Sequence, residues 1–302
     1  MPRTVPIERI RARLAAWAGS APASLLPRGY QRVGRAVLVR LPSELEEHFP
    51  QIGRMYAEEL GADCVLAFTG AVAGEFRRPQ VRRIYGETSE VVHRELGLRW
   101  HLDAQEILWA AGNRAERQRV AELVRPGEKV VDLFAGIGYF ALPAALHGRA
   151  ARVDAVEKNP RAYFYLRWNI EENGLTDRVV PHWGDNREVP LPPGEADRAF
   201  LGFLPSALPF LGGAARTLQP GGWVHVHLVV HARPWREEAR HAVEDELSRQ
   251  GIEGDVERIV PVKPYGPGRT HVVVDVRLGG RPGGEPAEGS DSRGLPSSLP
   301  RP

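Results

Sequence analysis

The sequence predicts an α/β protein: a mostly parallel, Rossmann-like sheet of seven strands ending in an antiparallel hairpin, preceded by a small α+β domain. Three observations carry this. Beyond Asp103, strand-like and helix-like segments alternate, as they do in a parallel sheet covered on both faces. The apolar run Val130-Val131-Asp132-Leu133 enters a glycine-rich turn and then a helical pattern. The last two strand patterns are joined only by residues 263–269, too few for a parallel crossover, so they pair antiparallel.

The elements follow in order. Residues 1–30 are a basic N-terminal arm, helical in spacing over 7–17 and then a Pro- and Ala-rich connector over 20–29, expected to be loosely held. Residues 31–105 form the small α+β domain: a strand at 36–41, a helix near 43–61, short strands at 64–68 and 74–83, and a half-buried strand pair over 91–102, where apolar and polar residues alternate. Residues 106–278 hold the seven strands, at 129–133, 152–156, 178–182, 196–203, 223–230, 256–262 and 270–277, with helices in the gaps. Asn159 with Pro160 opens one helix as N-cap and first-turn proline, and Asn173 with Gly174 closes it. Asn113 with Glu116 reads as a capping-box helix start, which would leave Arg117 an ordinary helical charge. The tail, 279–302, is rich in Gly, Pro, Ser and charge and is expected to be disordered, because it lacks the apolar residues that offset ordering entropy.

Composition narrows the classes. A chain of 302 residues, 42% hydrophobic, can bury a sizeable core without staples. Its single cysteine, Cys64, excludes an internal disulfide framework and cysteine-rich metal sites, reads as a buried small hydrophobe, and makes a cytoplasmic location and no metal the expectation. No apolar run approaches the ~18 residues of a membrane span. The net charge of +2 is small, but residues 1–40 contain eight Arg and one acid, Glu8. Arg77, Arg78, Arg82 and Arg83 form a second cluster that suits phosphates, or else a solvated face.

The central signal is Val130-Val131-Asp132-Leu133-Phe134-Ala135-Gly136-Ile137-Gly138-Tyr139-Phe140. Gly136 and Gly138 let the backbone approach a ligand, and the helix behind offers free N–H groups to an anion. Gly136, Gly138 and Ala141 also satisfy the dinucleotide fingerprint, with Glu157 at the expected distance to take ribose hydroxyls. Three features favour S-adenosylmethionine (SAM) over a dinucleotide. Asp132 at the strand end can meet an ammonium; Asp185, in Gly184-Asp185-Asn186-Arg187 after the third strand, can accept from an adenine amino group; and the sheet ends in a hairpin. Asp and Asn after strands are also routine turn formers.

With these residues in view, the chain resembles the archaeal and eukaryotic transferases that modify the guanosine beside the tRNA anticodon. They comprise the tRNA guanine-N1 methyltransferases and the wyosine-synthesis aminocarboxypropyltransferases, the wybutosine-synthesising protein 2 type. Over roughly residues 31–277, the resemblance rests on Gly74-Glu75-Phe76-Arg77-Arg78-Pro79, Tyr85-Gly86, His93-Arg94-Glu95 and Leu102-Asp103. It continues through Gly112-Asn113-Arg114-Ala115-Glu116-Arg117, the glycine-rich turn, and Val156-Glu157-Lys158-Asn159-Pro160 with Asn169 and Asn173. It implies the class I SAM-transferase fold and places Arg114, Glu116 and Arg117 where cofactor and nucleotide meet. It also puts Glu157 on the ribose, Asp185 on adenine, and Asp132, Phe134, Gly136, Gly138, Lys158 and Asn186 around the cofactor.

The segment Leu201-Gly202-Phe203-Leu204-Pro205-Ser206 separates the branches. A base-nitrogen methyltransferase usually carries Asn or Asp before Pro there, whereas this chain has Gly202 and looks like the aminocarboxypropyl branch, which makes Gly202 and Pro205 candidate catalytic positions. The resemblance therefore implies transfer of the 3-amino-3-carboxypropyl group to a wyosine-type base, release of 5′-methylthioadenosine and the anticodon-loop region of tRNA as partner; Arg77, Arg78, Arg82 and Arg83 are then the expected RNA contacts, and nothing in the sequence requires more than a monomer. An RNA methyltransferase, a catalytically silent RNA-binding module and a dinucleotide-dependent oxidoreductase remain the alternatives at this point.

Overall fold

The structure, a computed structural model, describes residues 5–279. In the N-terminal unit, strands β1 (Gln31–Val33), β2 (Ala36–Val39), β3 (Cys64–Phe68) and β4 (Val81–Tyr85) form one sheet in that order, parallel only between β2 and β3. Helices α1 (Pro6–Ala18), α2 (Ser20–Ser24) and α3 (Phe49–Leu60) cover one face of it.

The expectation of a loosely held arm is corrected here. Ile7, Ile10 and Leu14 recur at helical spacing and are buried against Phe49, Ile52 and Tyr56, so burial ties the segment down. Its arginines are largely used internally. Arg13 pairs with Glu58, Arg9 with Glu59, and Arg11 donates to the carbonyls of Ala23 and Leu26. Residues 1–4 and the tail from 280 on lie outside the described residues, so the expectation of disorder for 279–302 is addressed only at Gly279.

β5 (Glu90–Glu95) and β6 (Leu98–Asp103) form a separate hairpin that packs on the C-terminal unit through Trp100 and Leu102. The larger sheet contains β7 (Lys129–Asp132), β8 (Arg152–Glu157), β9 (Val179–Trp183), β10 (Ala196–Leu201), β11 (Leu218–His231), β12 (Gly254–Gly266) and β13 (Arg269–Leu278) in the order β12-β13-β11-β10-β7-β8-β9. The five strands from β9 to β11 run parallel, and β13 lies antiparallel between β11 and β12. This is the mostly parallel seven-stranded sheet with a terminal hairpin. The connection is tighter than the sequence suggested, because β12 continues to Gly266 and only Pro267 and Gly268 turn. No helix among the described residues is long and apolar enough to cross a membrane.

Helices α4 (Arg114–Leu123), α5 (Ala141–Leu146) and α6 (Pro160–Glu172) cover one face of the sheet, while α7 (Leu211–Thr217) and α8 (Trp235–Arg249) cover the other. The alternation in β11 explains a buried polar seam: Val224, Val226 and Leu228 face α8, so His225 and His227 must point to the opposite face. There His225 Nδ1 lies 2.6 Å from Asp275, His227 Nδ1 lies 2.9 Å from His271, and Arg119 from α4 closes on Asp275 at 2.7 Å. Asn159 caps α6, its side chain accepting from the Arg161 N–H at 3.0 Å, and Gly174 takes the left-handed φ of +64° after its end. The capping box proposed for α4 does not form: Asn113 makes no side-chain cap, and Glu116 turns inward to Arg119.

Candidate active-site cleft

At the carboxyl ends of β7, β8, β9 and β10, a cleft of about 880 Å³ opens between the larger sheet and the N-terminal unit. This is where an open parallel sheet leaves backbone N–H groups and loops free to hold a ligand. Its floor is the turn after β7. Gly136 has φ +58°, and a Cβ there would come within 2.7 Å of the Tyr139 ring. That ring cannot withdraw freely, because Tyr139 Oη donates to the Leu108 carbonyl at 2.8 Å.

Glu157 ends β8 beside this turn. Its Oε2 accepts from the Gly136 N–H at 2.7 Å and its Oε1 from the Asn159 N–H at 2.6 Å, so the carboxylate is pinned with its remaining lone pairs open to the cleft. Burial pushes its pKa up, and the backbone donors offset this only in part. Asp185 is gripped by Arg187 at 2.6 Å and approached by Lys158 at 3.1 Å, which holds its carboxyl well below the usual range. Asn186 donates to the Leu133 carbonyl at 2.9 Å and so fixes the loop that carries Asp185. Phe134, Phe203 and Phe210 form an aromatic wall, Phe134 stacking on Phe203 at 5.0 Å and meeting Phe210 edge-on at 4.8 Å.

The opposite wall is cationic. Arg117 is 1% exposed, with Nε bound to Glu95 at 2.6 Å and its plane over Trp109 at 4.5 Å, while its buried Nη2 has no partner. Lys263, inside β12, faces the same space, and its pKa is lowered first by burial and then by Arg117 and Arg77. Arg40 lies over the Phe68 ring at 4.5 Å, and Arg77 donates to the Leu204 carbonyl at 2.7 Å.

Of the positions singled out in the sequence, Arg117, Phe134, Gly136, Glu157, Lys158, Asp185, Asn186, Gly202 and Arg77 line this cleft. The others are placed elsewhere. On α4 a turn of about 100° per residue puts Asn113 and Arg117 on one face and separates them from their neighbours. Arg114 therefore sits on a second hollow with Arg94 and Arg99, and Glu116, 2% exposed, is buried in the polar seam. Asp132 lies wholly under the floor, its Oδ1 accepting from the Phe134 N–H at 3.3 Å and its Oδ2 unpaired, and burial raises its pKa to about 7. It braces the turn and does not face the cleft. Gly138 serves the same turn, since its φ of +104° and the Leu142 side chain 2.7 Å from a Cβ position leave room for nothing larger. Pro205 lies just behind the cleft wall, its carbonyl accepting from the Val229 N–H at 2.8 Å.

The arginine cluster is also divided. Neighbours on a strand point to opposite faces, so Arg82 turns to Glu46 and the Phe49 ring while Arg83 lies on the other side of β4. Arg78 is exposed in the turn before β4. The residues that sequence reasoning missed are Arg40, Trp109, Tyr139 and Lys263. Lys263 was read as part of a connecting turn, although its rarity in an Arg-rich chain was a usable signal.

Such a cleft suits a sulfonium nucleoside. The aromatic wall has the chemistry to take an adenine, the pinned carboxylate of Glu157 that to take a sugar diol, and the unpartnered Arg117 Nη2 that to take a carboxylate. Comparison with known proteins agrees with this. The family model described as "TRM5/TYW2 methyltransferase domain" matches residues 91–253, and that described as "TYW2 N-terminal domain" matches residues 11–89. A relative from Methanocaldococcus jannaschii, named tRNA(Phe) (4-demethylwyosine(37)-C(7)) aminocarboxypropyltransferase, is 36% identical over 249 residues, covering 82% of this chain and 97% of its own. The crystal structure of Pyrococcus horikoshii TYW2 in complex with MeSAdo superposes with a TM-score of 0.80 at 32% identity, covering 90% of this chain and 98% of that one. The M. jannaschii TYW2 structure in complex with AdoMet gives a TM-score of 0.67 at 32% identity, over 83% of this chain and 99% of that one. With both units matched in order, and with the glycine turn, Glu157 and Gly202-Phe203-Leu204 meeting in one cleft, the chain belongs to the TYW2 family within the TRM5/TYW2 group of SAM-dependent transferases.

Proposed function

We propose that this protein transfers the 3-amino-3-carboxypropyl group of SAM to a wyosine-type guanosine beside the anticodon of tRNA, with 5′-methylthioadenosine as the second product. One observation carries the reading: the cleft that collects the nucleoside-binding groups Gly136, Glu157 and Asp185 also contains Gly202, where Phe140 fills the space an acceptor side chain would need. A Cβ at Gly202 would lie 2.8 Å from the Phe140 ring, so no side-chain amide can stand there to orient a ring nitrogen.

When bound, SAM supplies an electrophilic carbon next to sulfur and a neutral thioether as leaving group. Glu157 holds the sugar, and the wall of Phe134, Phe203 and Phe210 holds the adenine and excludes water. Arg117, whose Nη2 stays unpartnered although its Nε is held by Glu95, and Lys263 beside it receive a carboxylate or phosphate on the substrate side. In this reading the protein contributes orientation and a fixed electrostatic environment. For RNA, exposed Arg78 and Arg83 are the phosphate contacts, with Arg82 engaged by Glu46.

The test is incubation with SAM and unfractionated tRNA carrying the tricyclic base, with mass analysis of both products. A nucleoside heavier by the aminocarboxypropyl group together with methylthioadenosine supports the assignment. A methylated nucleoside with S-adenosylhomocysteine overturns it in favour of methyl transfer.

A further inference from the structure

Arg77 is the only member of the arginine cluster that reaches the cleft, and its geometry is unlike that of a phosphate ligand. It sits in a turn closed by the Ala73–Arg78 bridge and by the Arg77 N–H donating to the Gly74 carbonyl at 3.0 Å. Its φ is +52°, a left-handed conformation that a residue with a Cβ keeps only where its surroundings demand it. From there Nη1 reaches the loop after β10 and donates to the Leu204 carbonyl at 2.7 Å, across 127 residues of sequence. The far side of that loop is tied to β11, the Val229 N–H donating to the Pro205 carbonyl at 2.8 Å and the Ala207 N–H to the His227 carbonyl at 3.1 Å. Gly202, Phe203 and Leu204, which lead from the end of β10 into these anchors, line the cleft. The same turn meets the cofactor side, where Glu75 pairs with Lys158, although both partners are largely exposed and water screens the pair.

We propose that Arg77 is a positioning residue: the turn at residues 73–78 of the N-terminal unit latches the substrate-facing loop 202–206, so that the two units must be docked for the loop to hold its shape. This rests on reading that loop as part of the substrate site. The N-terminal unit then acts on the chemistry as well as on RNA binding.

Steady-state kinetics of the full chain with SAM and tRNA at several salt concentrations, for wild type, Arg77→Lys and Arg77→Met, separate the possibilities. The latch requires Arg77→Met to lose about 10- to 100-fold in kcat with little change in KM for tRNA or in its salt dependence. Arg77→Lys, which can still donate to the carbonyl, keeps most of kcat. A raised KM with a shallower salt dependence and intact kcat would make Arg77 a phosphate ligand and overturn the latch. Equal losses in both variants with equal loss of thermal stability would make it a structural brace and overturn it as well. Hydrogen exchange gives a readout independent of turnover: the amides of Ala207, Leu208 and Phe210 exchange faster in Arg77→Met and unchanged in Arg77→Lys. Unaltered exchange in Arg77→Met refutes the latch even if the wild type yields no methylthioadenosine, an outcome that would instead count against the proposed activity.

Discussion

Glu157→Gln tests the cofactor wall with the change of one atom. The two carboxylate oxygens of Glu157 accept backbone N–H groups, from Gly136 at 2.7 Å and from Asn159 at 2.6 Å, and the carboxylate lines the cleft where a hydroxyl of a bound sugar would reach it. Glutamine replaces one of these acceptors by a donor. That donor faces a backbone N–H, so either Gly136 or Asn159 loses its partner, and the sugar loses a charged acceptor. A hydrogen bond to a charged group contributes about 1.5–3 kcal/mol. Its loss raises the Kd for SAM about 10- to 150-fold. The free protein suffers less, because burial already penalises the Glu157 charge and the neutral amide removes that penalty. Calorimetric titration with SAM and with methylthioadenosine is the assay. Both ligands carry the same ribose, so both should weaken by a similar factor while the melting temperature moves by only a few degrees. Affinities within twofold of wild type, or a loss confined to SAM, would refute the assignment of Glu157 to the sugar.

Gly202→Ala places a methyl 2.8 Å from the Phe140 ring, so kcat/KM should fall and the double variant with Phe140→Leu should recover part of it; additive losses would show that the two positions are not in steric conflict. Glu116→Ala removes a carboxylate, 2% exposed, that holds Arg119, and should cost about 3–5 kcal/mol in thermal or denaturant unfolding while leaving SAM affinity unchanged. Weakened SAM binding in folded protein would restore Glu116 to the site. Acid should destabilise the fold through the polar seam. His271, 0% exposed, has its pKa lowered to about 3 by burial, Lys263 and Arg77, so it stays neutral in the folded protein where the unfolded chain binds a proton. The stabilisation is complete above pH ~6.5 and is lost as pH falls towards 3, at up to about 1.4 kcal/mol per pH unit for one imidazole. Asp132, raised to about 7, titrates with the opposite sign in the same range, so the check is the difference in urea midpoint between wild type and His271→Phe: a difference that stays level between pH 7 and 5 would contradict this.

The architecture was legible because it depends on short-range pattern. Alternating apolar segments beyond Asp103 specify strands and helices, and the short link before Thr270 forces an antiparallel pair whatever surrounds it. Glu157 was legible for the same reason, since a strand ending beside a glycine turn leaves its last carboxylate within reach of that turn. The helical spacing of residues 7–17 was equally readable, but its docking onto α3 was not, because the partner surface comes from residues 49–56.

By itself, then, the sequence determined the order of strands and helices, the glycine turn and the carboxylate beside it, since each is settled by neighbours within a few residues. Tertiary structure alone decided which charges share a space. It sent Glu116 inward and Arg117 into the cleft from adjacent positions of one helix, brought Lys263 to Arg117 from the far hairpin, and set Arg77 on the Leu204 carbonyl. The physical reason is that a guanidinium or ammonium group on a long side chain is placed by the packing of whole elements against one another, and linear spacing carries no record of that packing.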